Sequence, residues 1–385
     1  MDIDEKSTKR YALPAVLLVL FTTGWGANHF ASMIPVLRAD EGLSATVVDG
    51  AFGIYALGLL PGLFGGGTLS DRVGRRPVVL SGAMLAGLGN LMMIVWHDQA
   101  GVLVGRLVVG LGAGLTIGAG TAWAADLRGR SGATLAGAVL TTGFALGPVI
   151  TGVLAEFVPH RLEVPFAVTG VASLAVAVAA IVLTPPAHSP VHDSADAHET
   201  TTRSVRAALS WSIPMALWVF SSVTVAVVVM AARIGDRYDG AWVPGLAAAL
   251  CLGSGVVVQF VVRRLHTGPM TGVVGAALAA IGFVMAAAAG SEPSLAVFAL
   301  TAIVLGLAYG LCLRDGLVDV ETMTPAASRG RVTGIFYVAS YLGFGLPVLL
   351  TSIRGSVGVV APLAILAAAA VVAATARAVR VRRPG

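Results

Sequence analysis

Charged residues are scarce in this chain. They make up 12% of its 385 residues, while 56% are hydrophobic, and the mean hydropathy is +0.86. A soluble domain carries about 25% charged residues, so the composition excludes a soluble core and indicates an integral membrane protein. Cysteine is also rare. Cys251 and Cys312 both lie in apolar stretches, which favours buried free thiols over a disulfide.

Several signatures of chemistry are missing as well. The sequence has no Gly-Lys-Ser/Thr phosphate loop, no metal-ligand spacing and no nucleophile elbow. We therefore expect neither an ATP-driven pump nor an enzyme, and no metal or other cofactor. The net charge of +5 does not predict nucleic-acid binding, because the basic residues fall in short turns on one side of the predicted membrane. No cleavable signal peptide is expected, since the first apolar run is too long and lacks an Ala-x-Ala site.

Long apolar runs dominate what is present. A helix needs about 20 apolar residues to cross the hydrocarbon core, and only helices satisfy their own backbone there. The sequence therefore predicts an all-α membrane protein with twelve spans. The predicted spans are 11–35, 45–67, 77–96, 101–125, 133–157, 164–184, 207–232, 241–262, 270–289, 294–320, 332–352 and 355–376.

Basic residues predict the orientation of these spans. If the N-terminus is cytoplasmic, eighteen of the 25 Lys and Arg residues lie in inner loops and tails, and five lie in outer loops. The inner set includes Arg377, which follows the last predicted span. This asymmetry predicts a multi-pass protein of the cell membrane with both termini in the cytoplasm.

One polar segment separates the spans into two groups of six. Residues 185–206 contain Pro-Pro, three His and several acidic residues. We interpret them as a cytoplasmic linker between an N-terminal six-helix bundle, 1–184, and a C-terminal one, 207–385. Its histidines could form a metal cluster, but a solvated linker without an ordered scaffold is the favoured interpretation. They are His188, His192 and His198.

The two halves repeat each other at an offset near 200 residues. Gly110-x-x-x-Gly114 in span 4 matches Gly306-x-x-x-Gly310 in span 10. The stretch 143–148 in span 5, Gly-Phe-Ala-Leu-Gly-Pro, is similar to 343–347 in span 11, Gly-Phe-Gly-Leu-Pro. These matches predict two pseudo-symmetric bundles.

A charged stretch follows span 2. It reads Gly67-Thr68-Leu69-Ser70-Asp71-Arg72-Val73-Gly74-Arg75-Arg76 and is predicted to form a tight turn between neighbouring membrane helices. The pattern resembles the loop between helices 2 and 3 of the major facilitator superfamily, a family of secondary transporters. Together with the twelve spans and the linker, this resemblance covers the whole chain. It implies two six-helix halves with substrate bound at the midplane between them.

The resemblance also implies a gate in this stretch. Asp71 would face the N-terminus of span 11, where the helix dipole stabilises an anion by about 0.3–1 kcal/mol. The basic side chains would pair with Asp71 and Asp126 and keep the cytoplasmic side closed. The alternative is that they only set the topology. The predicted gate residues are Gly67, Asp71, Arg72, Gly74, Arg75, Arg76 and Asp126.

Arg106 lies inside predicted span 4, where a cation costs at least ~2.5 kcal/mol. It must therefore face a cavity or a partner, or else extend its side chain to the outer surface. Its surroundings resemble the family's span-4 arginine motif, which is linked to proton transfer or substrate anions.

Span 5 carries Gly143-x-x-x-Gly147-Pro148, which resembles the family's antiporter motif and implies an exporter. Close helix packing alone would also explain these residues.

Span 1 contains Trp25, Asn28 and His29, and in this fold span 1 lines the cavity. His29 could carry protons near neutral pH. The alternative is that these polar groups form hydrogen bonds between helices.

Span 10 ends in a cluster of charged residues. Asp315 and Asp319 share one helix face. Asp315 could carry a proton or bind a cation, with Arg314 as its partner. The alternative is that span 10 ends early, and we favour a solvated turn for Asp319 and Glu321.

The sequence thus predicts a secondary active transporter that works by alternating access. The favoured function is proton-coupled efflux of a small amphipathic molecule. One alternative is a proton symporter or facilitator for sugars or organic acids, and another is a membrane sensor that does not transport. The expected partners are a small-molecule substrate and the lipid bilayer, and the expected state is a monomer.

Overall fold

The computed structural model describes residues 2–184, 204–238, 240–265, 268, 270–290, 292–325 and 328–382. Within these residues every regular element is helical, and twelve helices are long and apolar enough to cross a membrane, which confirms the predicted fold class. Most of the predicted linker, including its three histidines, lies outside the described residues. The helices are α1 Tyr11–Asp40, α2 Ala45–Val73, α3 Arg75–Val95, α4 Gln99–Gly129, α5 Ser131–Phe157, α6 Glu163–Leu183, α7 Val205–Gly235, α8 Trp242–Arg264, α9 Met270–Ala288, α10 Leu295–Met323, α11 Arg331–Val357 and α12 Val360–Arg382.

Polar side chains set the starts of several helices. The Ser44 and Ser294 hydroxyls each accept a hydrogen bond from the backbone N–H three residues later, and the Asp98 carboxylate does the same at α4. These contacts satisfy amides that have no partner inside the helix. They begin α2, α4 and α10 within two residues of the predicted starts.

The predicted turn between α2 and α3 is wrong. Residues from Gly67 to Val73 are the last two turns of α2, and α3 begins at Arg75. Gly74 is the whole connection, with φ 94° and ψ 154°. This positive φ is strained for residues that carry a Cβ, so glycine allows the chain to change direction within a single residue.

The chain divides into two compact units, Met1–Thr201 and Thr202–Gly385, and each contains six of the membrane helices. The exact limits of the predicted bundles and linker stay a prediction. Both cysteines lie in the second unit, where they are buried and free.

In the first unit, glycines on α4 bring it close to α2. A Cβ at Gly110 would collide with the carbonyl oxygen of Tyr55, and one at Gly114 with that of Leu59. Such contacts are the usual way in which membrane helices pack.

The second unit repeats this packing between α10 and α8. A Cβ at Gly306 would collide with the carbonyl of Cys251, and one at Gly310 with that of Gly255. The glycine pairs that match in sequence therefore perform the same structural task in both halves.

Among the described residues, three membrane helices and one helix junction depart from regular α-helix. α1 is interrupted at His29, between Asn28 and Phe30. α4 and α5 meet at a kink where Gly129 has φ 62°. In the second unit, α7 contains a π-helical segment, Val225–Met230, and α11 contains a 3₁₀ segment, Leu342–Gly345.

We expect Gly110→Ala to reduce the yield of folded protein, because the added methyl group would collide with backbone rather than with a movable side chain. Overpacking of this kind costs about 1–3 kcal/mol. Size-exclusion profiles and thermal unfolding in detergent measure the effect. Gly253→Ala is the matched control, since a Cβ there meets no atom within 4 Å. Equal behaviour of the two variants would contradict the packing account.

Candidate functional site

Arg75 joins the ends of three helices. Its guanidinium lies 2.6 Å from the Asp71 carboxylate on α2 and 3.0 Å from that of Asp126 on α4. It also donates to the Ser70 hydroxyl at 2.7 Å. Arg75, at the start of α3, thus forms the ion pairs with Asp71 and Asp126 that the sequence predicts for the basic cluster.

The other members of the predicted gate are arranged differently. Arg76 donates to the Thr184 hydroxyl at 3.1 Å and to the Ile181 carbonyl at 2.8 Å, so its hydrogen-bond partners are at the end of α6 and are not the carboxylates. Arg72 is exposed. Gly67 lies one turn before Asp71, where an added Cβ would meet no atom within 4 Å.

Arg106 is fully buried in the first unit. Its guanidinium carbon lies 4.4 Å from the centroid of the Tyr55 ring, 4.6 Å from that of Phe30 and 5.7 Å from that of Phe52. Nη1 donates to the carbonyl oxygen of Ala27 at 3.0 Å. The side chain therefore does not extend to the outer surface. Aromatic faces and one backbone carbonyl of α1 compensate its charge in part.

The carbonyl that Arg106 contacts belongs to the broken part of α1. His29 interrupts the helix two residues after Ala27. Arg106 therefore holds α4 against this irregular segment. Its Nε and Nη2 atoms have no hydrogen-bond partner among the described residues.

His29 faces α3 and α6. Its Nε2 atom lies 2.9 Å from Oδ1 of Asn90, and its ring packs edge-on against Phe166 with centroids 5.2 Å apart. The Asn90 amide in turn donates to the carbonyl of Ala86 at 3.2 Å. The His29–Asn90 hydrogen bond joins α1 to α3 and is of the interhelical kind that the alternative interpretation of span 1 predicts.

Asn28 and Trp25 face α5. The Asn28 amide donates to the carbonyl oxygen of Phe144 at 2.7 Å. Gly147 packs against Trp25, since a Cβ added at Gly147 would lie 2.8 Å from the Trp25 carbonyl oxygen. The residues of the antiporter-like motif thus meet α1 directly. That Trp25 and Asn28 line a substrate or proton pathway remains a prediction.

The second unit contains a buried ionic cluster of Asp315, Asp319 and Arg377, each 4–5% exposed. Arg377 forms a two-point contact with Asp319, with Nη1 at 2.9 Å from Oδ2 and Nη2 at 3.1 Å from Oδ1. Nη2 also contacts the Asp315 carboxylate. We call these three residues the acidic triad.

The acidic triad joins four helices. Asp315 and Asp319 stand on α10, and Arg377 comes from α12 and donates to the Trp211 carbonyl of α7 at 3.1 Å. α9 passes so close that a Cβ at Gly272 would collide with the Asp315 carboxylate. Two carboxylates thus share one guanidinium, so the triad carries one excess negative charge when both are ionised.

The structure corrects three predictions here. α10 does not end early but continues to Met323, so Asp319 is buried and not part of a solvated turn. The ion-pair partner of Asp315 is Arg377 rather than Arg314. Arg377 is not in the cytoplasmic tail, because α12 extends to Arg382. The apolar residues Ala378 and Val379, which follow Arg377, are the signal that could have placed it inside the helix.

The sequence matches the family model of the Major Facilitator Superfamily over residues 16–348. It is 25% identical over 198 residues to the quinolone resistance protein NorA of Staphylococcus aureus (strain N315), an alignment that covers 50% of either chain. It is 31% identical over 105 residues to the multidrug resistance protein MdtL of Klebsiella pneumoniae (strain 342), covering 27% of this chain and 26% of MdtL. The chain thus spans half the length or less of these relatives.

Solved transporter structures share the fold over nearly the whole chain. A POT family transporter in complex with 5-aminolevulinic acid superposes with a TM-score of 0.78 at 13% identity, covering 95% of both chains. A peptide transporter POT in complex with sulfate gives a TM-score of 0.75 at 14% identity, covering 96% of this chain and 94% of the other. At this identity the likeness establishes the fold alone.

We expect Arg377→Leu to lower the free energy of unfolding by about 3–5 kcal/mol, because it leaves two buried carboxylates without a counter-charge. Thermal unfolding in detergent measures the loss. Arg380→Leu is the matched control, since Arg380 lies one turn further along α12, is exposed and donates to the Ser210 carbonyl. If both variants lost the same stability, the acidic triad would not be the stabilising unit.

Proposed function

The chain belongs to the Major Facilitator Superfamily, and we propose that it is a proton-driven exporter of small amphipathic molecules. The proposal has two parts, the coupling to protons and the direction of transport. The acidic triad carries the first part, and the relatives named for drug resistance support the second.

The acidic triad is suited to bind and release one proton. Asp315 and Asp319 are four residues apart on α10 and share Arg377. When one carboxylate takes up a proton, the repulsion between them is relieved and a neutral ion pair with Arg377 remains. Both charge states of the triad therefore keep Arg377 paired. An acidic residue inside a membrane helix is by default a candidate for ion coupling.

The direction of transport is proposed from two observations. NorA and MdtL are named for resistance to quinolones and to multiple drugs. The residues Gly143, Gly147 and Pro148 of the antiporter-like motif form the contact between α5 and α1. An exporter of amphipathic compounds agrees with both, and a quinolone is the first substrate to test.

We assign the gate of this transporter to the cluster around Arg75. Its two carboxylate partners are 62% and 52% exposed, for Asp71 and Asp126, so each contact is weak and can break at low cost. Contacts of this strength can break and re-form in every transport cycle. Arg75 is the central residue of this assignment because it contacts both acids.

Reconstituted protein is expected to accumulate a fluorescent quinolone in liposomes whose lumen is acidic, since an antiporter exchanges lumenal protons for substrate. A symporter would instead accumulate substrate in an alkaline lumen. Protein-free liposomes and a protonophore control for passive distribution. Ligand binding detected by thermal shift, without any flux, would support a sensor and contradict the transport proposal.

Asp315→Asn is expected to abolish this pH-driven accumulation while preserving counterflow of labelled against unlabelled quinolone at equal pH. The reason is that the variant keeps the shape of the side chain but removes the proton site. Glu321→Gln is the control, since Glu321 is an exposed acid on the same helix. Accumulation by Asp315→Asn at the wild-type level would exclude this site as the coupling carboxylate.

Asp71→Asn is expected to raise access from the cytoplasmic side, because Arg75 loses one of its two carboxylates. An exposed pair contributes up to about 1 kcal/mol, so the labelling rate should rise by up to about fivefold. The measurement is maleimide labelling of Gly137→Cys in a background with Cys251→Ala and Cys312→Ala; Gly137 lies in the first two turns of α5, and a Cβ there meets no atom within 4 Å. Asp40→Asn is the control, because Asp40 lies at the C-terminal end of α1, outside the cluster around Arg75, and pairs with Arg161. An unchanged rate in Asp71→Asn would contradict the gate.

A further inference from the structure

Two prolines interrupt the backbone hydrogen bonds of membrane helices at matched positions in the two halves. Pro148 lies in α5 and Pro347 in α11. Proline has no N–H, so it cannot donate to the carbonyl oxygen four residues earlier, which belongs to Phe144 in α5 and to Gly343 in α11. In lipid such a carbonyl must find another donor, because no water is available.

In the first unit α1 supplies the donors. The Asn28 side-chain amide donates to Phe144 O at 2.7 Å, and the Ser32 hydroxyl donates to Pro148 O at 2.7 Å. Both donors are buried. Asn28 is the last residue before α1 is interrupted at His29.

In the second unit α7 supplies the equivalent donor. The Thr224 hydroxyl lies 2.9 Å from Gly343 O, the carbonyl that Pro347 leaves without its α-helical donor. Thr224 is the last residue before the π-helical segment Val225–Met230. Each half therefore places a polar side chain immediately before an irregular segment of its first helix and directs it at a proline break in its fifth.

Glycines bring the helices close enough for these side chains to reach. A Cβ at Gly143 would collide with the Phe21 carbonyl of α1. A Cβ at Gly343 would collide with the backbone of Phe220 and Ser221 in α7. The glycines and the proline of each motif thus serve the same contact.

The two contacts differ in what happens when they break. The Thr224 hydroxyl also lies 2.9 Å from Phe220 O in its own helix, and Gly343 O also accepts from the backbone N–H of Leu346 within the 3₁₀ segment. Separation of α7 from α11 therefore leaves no polar group of this contact unsatisfied. Asn28 has Phe144 O as its hydrogen-bond acceptor in the described part of the chain, so its separation leaves a buried donor without a partner.

We propose that Asn28 and Thr224 are positioning residues, that Asn28 supplies the donor that Pro148 lacks while Thr224 adds a second donor to Gly343 O, and that the α1–α5 contact is fixed while the α7–α11 contact is releasable. The role of Asn28 and Thr224 as hydrogen-bond donors to these carbonyls is argued from the distances alone. The release of α7 from α11 as a step of the transport cycle rests on the proposed transport function.

A double-mutant cycle tests the capping role. Asn28→Ala is expected to lower the Tm in detergent by about 2–4 °C. In a Pro148→Ala background the same change is expected to have little effect, because the alanine introduced there restores a backbone N–H for Phe144 O. If Asn28→Ala does not fold, recovery of folded protein in the double variant reports the same coupling. An equal loss in both backgrounds would overturn the proposal for Asn28.

Hydrogen–deuterium exchange tests the difference between the two contacts. In the wild type, peptides around Pro347 are expected to exchange several-fold faster than those around Pro148. Thr224→Val is expected to increase exchange around residue 343 with a smaller Tm loss than Asn28→Ala, and Thr224→Ser is expected to restore the wild-type rate.

Thr301→Val is the control, since the Thr301 hydroxyl donates within its own helix, to Val297 O. Equal exchange around both prolines, or no rescue by Thr224→Ser, would overturn the releasable contact. Neither measurement requires transport, so a failed flux assay leaves both results interpretable.

Discussion

The need to satisfy every backbone carbonyl without water governs this protein more than any other constraint. Where α1 or α11 departs from regular helix, and where Pro148 removes a backbone donor from α5, a polar side chain of a neighbouring helix lies within hydrogen-bond distance of a carbonyl. Arg106 contacts Ala27 O, Asn28 contacts Phe144 O and Thr224 contacts Gly343 O. Many of the polar residues inside the spans are therefore engaged with backbone. The acidic triad differs, because its carboxylates contact another charge rather than a carbonyl.

The membrane spans and their packing could be predicted because both depend on local pattern. Apolar length alone located all twelve helices. The repeated Gly-x-x-x-Gly pairs identified surfaces of close approach in α4 and α10, since only glycine leaves room for a neighbouring backbone. The family could be recognised for a related reason, because the residues around Asp71 form a short contiguous pattern.

The partners of the polar residues could not be predicted in the same way. Asn28 and Phe144 are 116 residues apart, and nothing in either local sequence points to the other. The sequence places Arg377 in a tail because basic residues usually mark the ends of spans, whereas in the structure it lies inside α12 and pairs with two carboxylates. The stretch 67–76 is predicted as a turn for the same reason, although all of it except Gly74 is helical, since charge at a helix end and charge in a loop have the same composition.

The single-residue connection at Gly74 has a mechanical consequence. Because one residue joins them, the adjoining ends of α2 and α3 cannot move apart, so a displacement at the end of one is passed to the end of the other. Arg75 follows this connection immediately and braces it against α4. A force that separates Arg75 from Asp126 would therefore displace the joined ends of α2 and α3 together, since the Asp71–Arg75 ion pair also links them.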